Sequence, residues 1–180
     1  MMTLITGGIR SGKSRQALKL AQDRATVKTF LATAEALDEE MKGRIARHRK
    51  ERGQDFSTME ESIALGRAVR DAARRTDLIL IDCLTLWINN LHHYFGENTG
   101  RIEEQILDFL GAVQQKPLDM ILVTNEVGLG VVPDNPLSRR FLEDLGRLNQ
   151  EMAAIADEVF FMVSGIPQVI KGAGIDVKMV

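Results

Sequence analysis

Near its start the chain reads Gly7-Gly8-Ile9-Arg10-Ser11-Gly12-Lys13-Ser14, a complete match to G-x-x-x-x-G-K-[ST]. This octapeptide restricts the fold, because it works only where a strand turns through a glycine-rich loop into a helix. The flanking residues supply both elements. Thr3, Leu4, Ile5 and Thr6 form a short apolar run before it, and Ala17, Leu18, Leu20 and Ala21 recur at helical spacing after it. Backbone N–H groups of such a loop turn toward phosphate oxygens, and the positive end of the helix dipole adds to their attraction. Gly7, Gly8, Ile9, Arg10, Ser11 and Gly12 are therefore read as a phosphate cradle, Lys13 as the cation that neutralises β/γ-phosphates, and Ser14 as a hydroxyl ligand for Mg²⁺.

The remainder of the chain predicts an α/β domain around this loop. Short apolar runs at 3–6, 29–33, 78–81, 120–124 and 159–163 alternate with helical patterns at 13–24, 39–52, 60–75, 85–95, 101–115 and 137–156. That alternation implies a mainly parallel sheet flanked by helices. With 180 residues, 44% of them hydrophobic and 27% charged, residues 1–180 are expected to form a single P-loop catalytic domain. Charged side chains interrupt every apolar stretch, so no membrane insertion is expected. A net charge of −2 supplies no general field for a polyanion, so nucleic acid is not an expected partner. Cys83 is the single cysteine and the N-terminus MMTLITGG has no signal-peptide pattern, which points to a reducing cytoplasm. The three histidines and one cysteine lack zinc-site spacing. Residues 126–136, containing Gly128, Gly130, Pro133 and Pro136, read as a functional loop.

A phosphate cradle needs a second magnesium contact, commonly an acidic residue at the end of a neighbouring apolar strand. Asp82 follows Leu78-Ile79-Leu80-Ile81 and has that position, although a strand-end aspartate can also serve as a helix N-cap. Glu126 follows the run 120–125 in a comparable place. The motif alone is shared by GTPases, motor ATPases, recombinase-like proteins and small-molecule kinases. The stretch Thr124-Asn125-Glu126-Val127 lacks the lysine and aspartate of an N-K-x-D guanine reader, which weakens a regulatory-GTPase reading. Another segment is less usual: His48 sits among Arg44, Arg47, Arg49, Lys50 and Arg52. Its acidic start, basic end and the spacing of Leu37, Met41, Ile45 and His48 predict an amphipathic helix, in which His48 could simply extend the apolar face.

Taken together, the motifs resemble a family, the bifunctional adenosylcobinamide kinase/adenosylcobinamide-phosphate guanylyltransferases of cobalamin biosynthesis. The resemblance spans nearly the whole chain: T-G-G-x-R-S-G-K-S-R at 6–15, A-T-A at 32–34, D-x-E-M-x-x-R-I-x-x-H-R at 38–49, D-C-L-T-L-W at 82–87, V-T-N-E-V-G-x-G-x-V-P at 123–133 and V-S-G-I-P at 163–167. It implies a P-loop domain of the RecA-like branch that uses GTP, ATP and Mg²⁺. The implied substrates are adenosylcobinamide and adenosylcobinamide phosphate. The aminopropanol hydroxyl is phosphorylated first, and GMP from GTP is then joined to that phosphate through a guanylylated histidine. That role falls on His48, with Lys13 serving the phosphoryl chemistry. A neutral imidazole is required of the nucleophile, and the surrounding arginines disfavour imidazolium.

By the same resemblance Ala32, Thr33 and Ala34 line the nucleotide site, Arg49, Lys50, Glu51 and Arg52 lie beside the guanylylated residue, and Glu60 reads guanine or ribose. A carboxylate suits guanine because it accepts from N1–H and the exocyclic amine. Glu60 otherwise reads as an acidic residue in the first turn of the next helix. His92 and His93 fall outside the shared motifs. The family also implies a homo-oligomer, a trimer among its forms. Two other functions fit the cradle: a kinase for another alcohol, with His48 structural, and a nucleotide-dependent binding module.

Overall fold

The apolar runs at 3–6 and 78–81 lack the alternation of a one-sided strand because both lie inside a sheet that is covered on its two faces. The structure is a computed structural model and describes residues 1–35, 39, 42, 43, 46 and 55–172. Among the described residues seven strands, β1 (Met2–Gly7), β2 (Lys28–Ala32), β3 (Phe56–Glu60), β4 (Leu78–Asp82), β5 (Asp119–Val123), β6 (Glu158–Val163) and β7 (Ile166–Lys171), form one sheet. Their spatial order is β3-β2-β4-β5-β1-β6-β7. Every neighbouring pair is parallel except β6–β7, an antiparallel hairpin. This is the mainly parallel α/β architecture that the sequence predicts.

The helices are α1 (Lys13–Arg24), α2 (Leu65–Ala72), α3 (Leu84–Phe95), α4 (Thr99–Gln114) and α5 (Pro136–Ile155). Successive residues of β4 separate the two faces. Ile79 and Ile81 join the core shared by α2, α3, α4 and α5, whereas Leu78 and Leu80 join the core under Ala17 and Ala21 of α1. The larger core is centred on Trp87, fully buried against Phe109 at 5.0 Å between ring centroids, with its indole N–H donating to the Ile63 carbonyl at 2.8 Å. At the opposite end of β1 from the glycine loop, Asp157 accepts from the Met2 N–H at 2.6 Å. The Lys116 ammonium beside Asp157 holds that carboxyl below the usual range.

Helix α1 coincides with the expected 13–24, and α3, α4 and α5 begin or end within one or two residues of expectation. Two strands are corrections. The helix expected over 60–75 is α2 alone, and residues 56–60 form β3, which places Glu60 at a strand end and not in a helical first turn. Among the described residues β3 is a sheet edge that pairs only with β2, and it buries Phe56 while Ser57, Thr58 and Glu60 stay exposed, so it has no apolar run to announce it. Strand β7, also at an edge, carries Pro167 and is exposed along most of its length. Ser164 and Gly165 close its hairpin at φ 51° and 85°, the positive pair that a two-residue turn of this kind requires. Of the helix expected over 39–52, residues 39, 42, 43 and 46 are helical and the rest lies outside the described residues.

Helices α2 and α4 approach most closely at Gly66, where an added Cβ would fall 2.3 Å from Asp108 Oδ2 and 2.7 Å from its backbone oxygen. Asp108 is in turn held by Arg70 at 2.9 and 3.0 Å. Gly66→Ala should therefore destabilise the fold by about 1–3 kcal/mol through overpacking. A urea titration checks this; an unchanged midpoint would show that the helices separate freely.

Candidate functional site

Parallel strands bring their C-terminal ends to one edge, and this edge collects the candidate residues. Gly7 ends β1, Ala32 ends β2, Glu60 ends β3 and Asp82 ends β4. Ala32 is in register with Glu60 on one side and Asp82 on the other, so the three stand in a row across adjacent strands. Open α/β sheets bind ligands beyond this edge.

The glycine loop leaves β1 with Gly7 at φ 145° and enters α1 with Gly12 at φ 95°. Both are closely confined: a Cβ on Gly7 would meet the Met162 carbonyl oxygen at 2.6 Å, and one on Gly12 would meet the Gly165 Cα at 3.2 Å. The β6–β7 turn thus packs directly on the loop, and the Gly165 N–H donates to the Ser11 carbonyl at 2.9 Å. Lys13 lies over the loop with its ammonium donating to the Gly8 carbonyl at 2.6 Å. Ser11 Oγ is buried without a hydrogen-bond partner, a polar atom inside the cradle with capacity left for a ligand oxygen. Ser14 Oγ donates to Asp82 Oδ2 at 2.7 Å, joining the first turn of α1 to the end of β4. Two hard oxygen donors converge beside the cradle, a set that fits Mg²⁺. Ser14 and Asp82 are thus brought together as the sequence reading expects.

The segment 32–34 has a more specific arrangement. Thr33 is buried, and its hydroxyl donates to the Cys83 carbonyl at 2.8 Å while accepting from the Cys83 N–H at 2.9 Å. Its side chain is committed to holding the turn after Asp82, and its N–H donates to the Asp82 carbonyl at 3.4 Å. Asn90 of α3 donates to the Thr33 carbonyl at 2.8 Å and reaches the Ser62 carbonyl at 3.3 Å. Farther along, the Tyr94 hydroxyl donates to Glu35 at 2.8 Å, and that bond raises the phenol above its ordinary value. Glu60 lies four strand spacings from β1, on the order of 19 Å, so it is out of reach of phosphates held by Lys13.

Glu126 begins the loop after β5, and its N–H donates to the Gly7 carbonyl at 3.2 Å. Sequence reasoning missed the side chains that fix this loop. Thr85 accepts from the Asn125 N–H at 2.8 Å, Thr124 donates to Asn149 Oδ1 at 2.8 Å, and Asn149 donates to the Asn125 carbonyl at 3.0 Å. Their signal was present: Asn90 and Asn149 are amides on helix faces that are otherwise apolar. His92 is buried with its Nε2 2.9 Å from Asp144 Oδ2, and His93 is exposed. His48, Arg49, Lys50, Glu51 and Arg52 lie outside the described residues. Among the described residues no His/Cys/Asp/Glu cluster suited to a metal occurs, and no helix is long and apolar enough to cross a membrane.

Comparison with known proteins agrees with this arrangement. The chain is 16% identical to a KaiC-like protein of Pyrococcus horikoshii whose structure it matches with a TM-score of 0.52, over 96% of this chain and 79% of that one. At that identity the likeness speaks to the P-loop, RecA-like fold. Nearer relatives are the bifunctional adenosylcobalamin biosynthesis protein CobP of Pseudomonas aeruginosa, 42% identical over 96% of this chain and 98% of that protein, and CobU of Escherichia coli, 38% identical over 95% and 100%. The CobU family, cobinamide kinase / cobinamide phosphate guanyltransferase, matches residues 3–170. A glycine cradle, a Ser14–Asp82 pair beside it and a family match over almost the full length lead to one conclusion: this chain is an enzyme belonging to the cobinamide kinase / cobinamide phosphate guanyltransferase family.

Proposed function

We propose that the protein phosphorylates the terminal hydroxyl of adenosylcobinamide with ATP or GTP and then transfers GMP from GTP, through a guanylylated His48, to form adenosylcobinamide-GDP. The observation that carries this reading is the Ser14–Asp82 hydrogen bond at 2.7 Å beside the Lys13 loop, since it joins a metal-binding oxygen pair to a phosphate cradle. The loop N–H groups and Lys13 bind and orient the phosphate chain, so that charge developing on the transferred phosphoryl group meets fixed donors. Ser14 and Asp82 would hold Mg²⁺, which when bound neutralises phosphate charge. Glu60 and the backbone at 32–34 stand where a nucleoside could lie along the strand ends.

Both steps are substitutions at phosphorus and differ in which phosphorus is attacked. In the second, a neutral His48 nitrogen attacks the α-phosphorus of GTP, the bridging P–O bond breaks, and pyrophosphate leaves with the electron pair. An oxygen of the corrinoid phosphate then attacks the same phosphorus, the P–N bond breaks, and the imidazole is restored. Support for His48 comes from the sequence, where Arg44, Arg47 and Arg49 can disfavour imidazolium and offset charge on the leaving pyrophosphate. Cys83, the single cysteine of the sequence, is buried, in keeping with a cytoplasmic setting.

Incubation of the protein with adenosylcobinamide, GTP and Mg²⁺ should yield both the phosphate and the GDP conjugate, identified by mass; a different phosphorylated alcohol as the preferred product would sink the reading. Lys13→Ala should lower turnover by an amount equivalent to about 2–4 kcal/mol of transition-state stabilisation. Asp82→Asn should lose activity in a way that high Mg²⁺ partly restores, and a loss insensitive to Mg²⁺ would mean that Asp82 acts otherwise. His48→Asn should stop the sequence at adenosylcobinamide phosphate. Protein incubated with GTP should retain α-phosphate label and not γ-phosphate label, in an acid-labile, alkali-stable bond within residues 44–52; uptake of γ-label would replace guanylylation with a phosphoenzyme.

A further inference from the structure

The loop between β5 and α5 has an unusual surface. From residue 127 to 133 it reads Val-Gly-Leu-Gly-Val-Val-Pro, seven residues without a charge or a side-chain hydrogen-bonding group. Leu129, Val131 and Val132 are 76%, 95% and 71% exposed. Such a contiguous apolar stretch at the mouth of a site marks a binding surface more often than a solvent-facing loop. Both of its ends are fixed. At the first, Asn149 and Thr85 hold Asn125, and Glu126 is bonded to Gly7. At the second, the Arg139 guanidinium donates to the Pro133 and Asp134 carbonyls at 2.9 and 2.7 Å, and Asn135 caps α5 by accepting from the Leu137 N–H at 2.8 Å.

We propose that this anchored loop seats the corrin macrocycle of the acceptor, with Leu129, Val131 and Val132 against its face. The inference rests on the reading given under Proposed function and adds the surface that recognises the corrinoid. Its geometry follows from the strand order. The loop leaves β5, which lies between β1 with its phosphate cradle and β4 with Asp82, so it flanks the point of phosphoryl transfer. The hydroxyl that accepts the phosphoryl group is tethered to the macrocycle by a short arm, so the ring must rest on a surface bordering that point. On the other side of β1 the border is filled by the β6–β7 turn packed on Gly12. Charge agrees as well: adenosylcobinamide is a monocation with methyl groups and neutral amides at its periphery, and the apolar stretch is bounded by two carboxylates, Glu126 and Asp134. A nucleotide, by contrast, would bring phosphate charge to a loop without a cation among its seven residues.

The test compares Leu129→Ser/Val131→Ser and, separately, Val131→Lys with the wild-type protein, using adenosylcobinamide and GTP as probes. In the kinase step the KM for adenosylcobinamide should rise on the order of tenfold, while the KM for GTP and the rate of protein labelling by α-phosphate GTP, a reaction without corrinoid, stay at wild-type values. Val131→Lys should have the larger effect because it sets a cation against a cation. An unchanged corrinoid KM overturns the proposal. So does an equal loss for GTP, which would assign the loop to the nucleotide, or a sedimentation shift showing that the loop joins copies of the chain. If wild-type protein is labelled by GTP but transfers nothing to corrinoid, the functional reading itself fails, and that outcome is separate from a variant that merely matches the wild type.

Discussion

The hydrogen bond between Ser14 and Asp82 joins the two halves of the site, and most of the surrounding structure keeps it in place. Ser14 is fixed by the entry of the glycine loop into α1, and Asp82 by the register of β4 with β2 and β5. Neither would hold without the buried polar groups behind them. Strand ends expose backbone groups that water would otherwise satisfy, and here side chains do so instead: Thr33 for Cys83, Asn90 for Thr33, Thr85 and Asn149 for Asn125. These bonds link helices α3 and α5 to the turns carrying the chemistry. Buried and satisfied, they leave little room for alternative arrangements.

The parts of the fold visible in the sequence are those where burial demands a pattern. β1 and β4 are buried on both faces and show it as unbroken apolar runs, while α1 follows a loop motif that dictates where a helix begins. Edge strands have no such obligation. β3 fully buries only Phe56, with Met59 partly buried against the larger core, and β7 is mostly exposed, so composition gave no cue for either. The same cause explains Glu60: read without β3, it falls into the following helix, whereas its strand places it in register with Ala32.

Recognition of the site followed the same division. The cradle and Asp82 were legible because their chemistry requires particular residue types at set spacing. The threonine and asparagine network was legible only in part: Asn90 and Asn149 stand out on otherwise apolar helix faces, but its members are scattered from Thr33 to Asn149 and their pairing appears only when the sheet assembles. Even Thr33, marked by a shared A-T-A triplet, has a side chain turned to Cys83, so its motif position did not disclose which of its groups is available.

The position of β1 also bears on when the protein becomes competent during its synthesis. The strand that carries the cradle is the first of the sheet's strands in chain order, yet it lies between β5 and β6, and its loop is backed by the turn at Ser164 and Gly165. More than a hundred residues must be translated before either neighbour exists, at roughly 5–20 residues per second. During that interval the N-terminal segment is an apolar strand without partners. The contacts that back the loop, from the Gly165 N–H to the Ser11 carbonyl and between Gly165 and Gly12, exist only once the β6–β7 turn has been made.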